Sequence, residues 1–296
     1  AQSGVLIKDA EALEKLSKVD TLIVDKTGTV TEGKPSIEKV VSTSDVSNDT
    51  LVSCIVSLNQ LSEHPLAKAV VTFGKENKIA PKPVKAFETV AGKGVMGNVE
   101  GKNVMVGNDK LMRQFNIQIP EAVQSEVVAE QQLGKTVSFI AIDQLIEGYL
   151  TISDAIKTSS ETAIKVLQRS GVDVIMLSGD NNNTVKYVAE QLGLKNYKGE
   201  CLPENKLDEI KLLQQQGRTV AMAGDGINDS PALAQADVGI AMGTGTDVAI
   251  ESSEITLVKG DLQGIVKAKN LSLEVMKNIK QNLFIKVLIK DKIKFN

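Results

Sequence analysis

The feature that most constrains this chain is a set of short, apolar, β-branched runs that lead into acidic residues. The run 21–24 (Thr-Leu-Ile-Val) stops at Asp25 and a Lys-Thr-Gly-Thr loop, and runs at 172–177 and 219–223 lead into the Gly-Asp pairs of Asp180 and Asp225. Further strand-like runs cover 237–242 and 254–258, and helical periodicity occupies 159–169, 184–192, 204–216 and 230–235. A short continuous apolar run reads as a strand buried on both faces. Alternation of such strands with helices implies a doubly wound, mostly parallel α/β sheet. Sites in these sheets lie at the carboxyl ends of the strands. Asp25, Asp180 and Asp225 all sit just past a strand end, so three carboxylates are expected to converge.

The middle of the chain reads differently. Helices are expected at 51–61 and 65–76, a glycine-punctuated antiparallel meander over 86–107, helices at 109–115 and 121–133, and strands at 136–142 and 147–151. This predicts an inserted α+β domain over 33–147, with the parallel-sheet domain split between 1–32 and 148–280. At 296 residues and 42% hydrophobic content the chain can fill two cores. Its net charge of −3 gives no footprint for nucleic acid or a membrane surface. Cys54 and Cys201 are too few and too far apart for a disulfide framework or a CxxC site, and read as small core residues in a reducing compartment.

The opening residues do not read as a signal peptide, and no apolar run is long enough to span a bilayer. The sequons at Asn48, Asn182 and Asn270 therefore carry little weight. The tail 277–296 holds six lysines and one aspartate. Its apolar residues are interrupted by Lys286 and Lys290, so 281–296 reads as a surface amphipathic helix, the stump of a membrane helix or a non-native tail.

Two motifs are rejected. Gly92-Lys-Gly-Val-Met-Gly97 fits GxGxxG, but strand-like alternation rather than a helix follows it. Gly134-Lys135-Thr136 resembles the end of a P-loop, but the required earlier glycine falls at Ala129.

Asp25-Lys26-Thr27-Gly28-Thr29 is the strongest signal. An aspartate at a buried strand end can attack a phosphoryl group if a metal and a cation neutralise the phosphate oxygens. Asp225 and Asp229, in Gly224-Asp-Gly-Ile-Asn-Asp229, can form a hard-oxygen Mg²⁺ site with Asp25. Lys206, early in a helix after Pro203, can supply the cation, and Ser178 can hydrogen-bond a phosphate oxygen.

The motifs at 25–29, 178–180 and 224–233 resemble the P-type ATPases, a branch of the haloacid dehalogenase superfamily. The likeness covers about residues 3–284. It implies a haloacid-dehalogenase-like sheet with an inserted nucleotide-binding domain, ATP and Mg²⁺ as cofactors, and an aspartyl phosphate at Asp25. It also implies roles for Lys26, for Thr27 as a Mg²⁺ and phosphate contact, and for Ser178, Gly179, Asp180 and Lys206 around phosphate. Asp225 is implied as a Mg²⁺ carboxylate, supported by Asn228 and Asp229. Ser178 stands where threonine is usual. Superfamily phosphatases carry an acid–base aspartate at the position of Thr27, so water attack on the intermediate is expected to be slow.

The inserted region, with Glu63-His64-Pro65, Gly92-Lys-Gly94 and Asn108, resembles the nucleotide domain of heavy-metal pumps. There the counterparts of His64, Gly92, Gly94 and Asn108 hold ATP. Each residue also has a plainer reading, His64 as a structural histidine and the glycines as turn residues. Asn59 stands where the family usually has an adenine-contacting glutamate, and can equally be an ordinary helix residue.

The stretch 237–251 is most similar to copper pumps rather than zinc/cadmium relatives. The resemblance implies membrane and actuator domains as partners, a transported heavy-metal ion bound elsewhere, and a place at the cytoplasmic face of the membrane. By itself the segment is expected to be a monomer that binds ATP without transporting. The competing readings are a soluble phosphatase of the same superfamily and a non-enzymatic ATP-sensing module. Asp154, near one of the two crossings between domains, is expected to make an interdomain contact.

Overall fold

The computed structural model describes residues 4–62, 64–226 and 229–294. Two sheets organise the chain. The first has the strand order β1 (Val5–Ile7), β13 (Ile255–Leu257), β12 (Val238–Met242), β11 (Val220–Gly224), β2 (Thr21–Asp25), β9 (Asp173–Leu177), β10 (Asn196–Lys198). Every pairing is parallel except β1 with β13. From β2 the sheet grows one way through β9 and β10 and the other way through β11 and β12. The winding thus reverses beside β2, and the crevice at such a switch point is the expected ligand position.

Alternate side chains of the central strands feed two cores, as a two-residue period requires. Leu22, Val24, Ala221 and Ala223 face the helices α1 (Ala10–Lys18), α6 (Ser160–Arg169), α7 (Asn182–Gln191) and α11 (Gln263–Lys294), whose Leu16, Ile164, Val185 and Ile265 are buried there. Ile23, Val220 and Met222 face α8 (Pro203–Gln215), α9 (Ser230–Gln235) and α10 (Asp247–Glu251) through Ile210, Leu233 and Ala249. Covered on both faces, β2 and β11 have no need of polar alternation, which is why they read as unbroken apolar runs.

The second sheet is antiparallel, in the order β3 (Ser36–Ser42), β8 (Leu145–Ser153), β7 (Thr136–Ile142), β6 (Lys102–Gly107), β5 (Gly94–Val99), β4 (Val84–Val90). Helices α2 (Asn48–Asn59) and α3 (Pro65–Glu76) pack on one face through Leu51, Ile55 and Val70. Helices α4 (Asp109–Gln114) and α5 (Glu121–Gln132) pack on the other through Leu111, Met112 and Val127. The fold class matches the expectation. β8 pairs with β3 from Gly148 opposite Ser42 to Ser153 opposite Ser36. The second sheet therefore ends at Ser153, next to Asp154 at the expected crossing. Cys54 and Cys201 are buried and free. Among the described residues, no helix is long and apolar enough to cross a membrane.

Candidate phosphoryl-transfer site

Strand β2 is buried throughout, and its last residue, Asp25, stands opposite Leu177 of β9. The chain cannot continue as strand beyond it. Thr27 has ψ 127° and Gly28 turns into the left-handed region at φ +71°. A Cβ on Gly28 would lie 2.9 Å from Asp225 Oδ2, so only glycine lets the loops after β2 and β11 approach this closely.

Two lysines divide the carboxylates between them. Lys206, in the first turns of α8, places Nζ 2.6 Å from Asp25 Oδ1 and 2.7 Å from Asp229 Oδ1. All three side chains are buried, at 6%, 7% and 2% exposure for Lys206, Asp25 and Asp229. Burial disfavours the ammonium, but the two carboxylates outweigh it and hold its pKa above the ordinary lysine range. Burial first, and the Asp25 charge second, push the Asp229 carboxyl upward, with Lys206 opposing. The trio thus has one firmly held positive charge, and burial beside Asp25 makes the Asp229 carboxylate easier to protonate than a free one. Lys26, also buried, pairs with Asp180 Oδ2 at 2.5 Å. Burial works against its charge too, and Asp180 reverses the shift. Ser178 is buried and its Oγ accepts from the Asp180 amide at 3.2 Å, while Gly179 packs against the Cys201 carbonyl.

Asp25 ends β2 and Asp225 directly follows the paired strand β11, and carboxylates are hard-oxygen donors. Among the described residues no group of three or more His, Cys, Asp or Glu is arranged to hold a metal by itself. Two carboxylates beside a strand-end crevice fit Mg²⁺, which keeps several waters and binds through one or two carboxylates plus substrate phosphates. Asn228 lies outside the described residues.

The residues expected to hold nucleotide lie on the second sheet and its helices. His64 precedes α3 and its Nδ1 accepts from the Leu66 amide at 3.2 Å, which leaves Nε2 as the N–H donor. Dense surroundings lower its pKa, with the Asp180 charge opposing, although the residue keeps substantial solvent exposure that screens the shift. Asn108 caps α4: its Nδ2 donates to Gly92 O at 2.9 Å and its Oδ1 accepts from Leu111 N. Gly94 is forced by the sheet, because a Cβ there would fall 2.2 Å from Val106 O. Asn59 is buried and its amide donates to Ile55 O at 2.8 Å, within its own helix. Glu63 lies outside the described residues.

These two groups face each other. A Cβ on Gly92 would sit 3.1 Å from Leu202, the residue just before α8, and that helix also carries Lys206 to Asp25. Thr136 Oγ1 donates to Asp180 Oδ1 (3.2 Å), Thr184 Oγ1 to Lys135 O (2.7 Å), and Lys110 pairs with Glu200 (2.7 Å). A cleft of about 490 Å³ remains between α3, at Lys68, Thr72 and Phe73, and the loops of the first sheet, at Gly28, Asp225 and Thr244.

Two further residues hold the loop from behind. Asp154 accepts from Thr31 Oγ1 (2.5 Å), Gly33 N (3.2 Å) and Lys34 N (3.1 Å), and so joins the two chain crossings. Lys157 Nζ donates to the carbonyls of Gly28, Thr29 and Gly260. Sequence reasoning missed Lys157. The only available signal was its place three residues after Asp154.

A family profile described as haloacid dehalogenase-like hydrolase matches residues 19–237. The chain is 49% identical over 283 residues to a copper-transporting P-type ATPase of Rhizobium leguminosarum, covering 96% of this chain and 34% of that protein. It is 48% identical over 286 residues to a copper-exporting P-type ATPase of Legionella pneumophila, covering 96% of this chain and 38% of that protein. The chain thus spans little more than a third of the length of these relatives. Among solved structures, the catalytic domain of the CPx-ATPase CopB-B superposes with a TM-score of 0.74 at 30% identity, covering 90% of this chain and 96% of that one. A strand-end aspartate held by a buried lysine, on a sheet shared with these proteins, makes this chain a member of the haloacid dehalogenase-like hydrolases and, within them, of the P-type ATPases.

Proposed function

We propose that this chain is the ATP-binding and phosphorylating part of a copper-transporting P-type ATPase, in which Asp25 takes the γ-phosphoryl group of ATP. The observation that carries the reading is the buried ammonium of Lys206, shared by Asp25 and Asp229 at the switch point of the sheet. An Asp25 carboxylate oxygen attacks the γ-phosphorus. The bond from that phosphorus to the β–γ bridging oxygen breaks, and its electron pair leaves with ADP. Lys206 offsets the charge of the incoming phosphate oxygens, while Lys26 stays committed to Asp180. Asp25, the Thr27 carbonyl and Asp225, with Asn228 and Asp229 in support, would hold Mg²⁺, which supplies Lewis-acid neutralisation of phosphate charge when bound.

His64, Gly92, Gly94 and Asn108, with Asn59 and Glu63 nearby in sequence, hold the base end of ATP across the cleft. Thr27 leaves the loop without a second carboxylic acid, so the phosphoenzyme outlives the transfer. In a full-length pump, where this unit stands at the cytoplasmic face of the membrane, that lifetime lets membrane and actuator domains couple phosphorylation to copper export. The copper assignment rests on the names of the relatives. The test is brief incubation with ATP labelled at the γ-phosphate and Mg²⁺, an acid quench and a hydroxylamine challenge. Label that survives acid, leaves with hydroxylamine and is absent from Asp25→Asn is expected. Equal label in Asp25→Asn would refute the assignment.

A further inference from the structure

We propose that Lys157 is a positioning residue for phosphoryl transfer, whose ammonium sets the backbone of the 25–31 loop and ties it to the root of α11. The inference rests on the phosphorylation of Asp25 proposed above. Its observation is geometric: Lys157 Nζ donates to Gly28 O at 2.8 Å, Thr29 O at 3.0 Å and Gly260 O at 2.7 Å. An ammonium has three protons and no acceptor, so these carbonyls use its full donor capacity. Among the described residues it makes no contact ion pair. Burial depresses its pKa, and the carboxylates of Glu32, Asp261, Asp154 and Asp225 oppose that shift from longer range.

The loop needs such a support. Thr27 and Gly28 leave helical geometry, so their neighbours cannot satisfy one another through a regular ladder. Lys157 gathers two successive carbonyls, while Ser160 Oγ donates to Val30 O at 2.9 Å and the Lys157 amide donates to the same carbonyl at 3.0 Å. The third acceptor, Gly260, precedes Asp261, which accepts from the Gln263 amide of α11 at 2.8 Å and from Ser159 Oγ at 2.9 Å. One ammonium therefore connects the loop that presents Asp25 to the start of the long helix. A displacement of that root is transmitted to the Gly28 and Thr29 carbonyls without passing through the nucleotide side of the cleft.

The ammonium bonds neither Asp25 nor His64, so its loss should separate chemistry from binding. In this chain, Lys157→Gln should slow phosphoryl incorporation into Asp25 at saturating ATP by about tenfold or more, the scale of a small misplacement of reacting groups. The ATP dissociation constant should stay within about twofold of the parent's, because binding free energy is supplied elsewhere. Lys157→Arg, which restores a cation but not the compact three-way geometry, should fall between the two. A parent-like rate in Lys157→Gln overturns the inference, as does a rate loss matched by an equal loss of ATP affinity. Should the glutamine variant not fold, the arginine variant decides: a slower rate at parent ATP affinity supports the role, and a parent rate overturns it. Failure of the parent chain itself to form an acid-stable phosphoenzyme overturns the proposed function and this inference together, whereas a parent-like Lys157→Gln overturns this inference alone.

Discussion

Replacing Lys206 by methionine, which keeps the stem and removes the charge, leaves Asp25 and Asp229 buried beside each other without their shared cation. Removing one partner from a buried, hydrogen-bonded charge pair costs roughly 3–5 kcal/mol. For a unit the size of the seven-stranded sheet with its helices, each kcal/mol moves Tm by roughly 2–4 °C, so the expected fall is roughly 6–20 °C at pH 7 without Mg²⁺. The loss should depend on pH in a defined direction. Without the lysine, the folded-state pKa of Asp229 rises further above the unfolded value of about 4, so the folded state binds more protons than the unfolded one in that window. The deficit is therefore largest near neutrality and shrinks as pH falls toward 5. Adding Asp229→Asn to Lys206→Met should recover at least about 1 kcal/mol, since it removes one of the two stranded charges. Thermal melts followed by circular dichroism at pH 5 and 7, on the two single variants and the double variant, measure all of this. A loss in Lys206→Met below about 1 kcal/mol, or one that Asp229→Asn leaves unchanged, would refute the reasoning.

Gly28→Ala places a side chain at φ +71°, 2.9 Å from Asp225 Oδ2. It should cost at least about 1–2 kcal/mol in melts and abolish phosphoenzyme formation in the acid-quench assay. Asp154→Ala removes the acceptor for Thr31 Oγ1 and for the Gly33 and Lys34 amides. Deuterium exchange at Gly33 and Lys34 should then accelerate by roughly tenfold or more, with the core of the first sheet unchanged. Tyr149 is buried and its hydroxyl donates to Glu126 Oε2 at 3.0 Å, which together push its pKa up to about 12. A spectrophotometric titration should show one of the three tyrosines ionising late. Stability from Tyr149 should be intact below pH 10 and decline between about pH 10 and 12, as the unfolded chain releases a proton that the folded chain retains.

Much of the first sheet was legible because β2 and β11 are buried on both faces, and such strands read as unbroken apolar runs. The acidic residues that follow mark the strand ends, and Pro203 marks the start of α8, so Asp25, Asp180, Asp225 and Lys206 were all singled out from sequence. The edge strands β1 and β10 escaped notice, since three residues each are too short to carry a period. β3 escaped notice as well, since its mixed, half-exposed pattern gives no signal of its own, although it holds β8 in the second sheet as far as Ser153. Asn59 reads from sequence as either a nucleotide contact or a helix residue. In the fold its amide is turned into α2, a choice made by burial rather than by residue type. Lys157 was invisible for another reason: its partners are backbone carbonyls of distant loops, and a carbonyl leaves no trace in the sequence.

The central claim is that Asp25, and no neighbouring carboxylate, carries the phosphoryl group. Borohydride reduces an acyl phosphate to the alcohol, so a phosphorylated aspartate becomes homoserine and can be located by peptide mass spectrometry. After brief incubation of the chain with ATP and Mg²⁺ and reduction of the quenched protein, the account predicts homoserine at position 25 and unmodified aspartate at 180, 225 and 229. Homoserine at any of those three positions, with Asp25 intact, would contradict it.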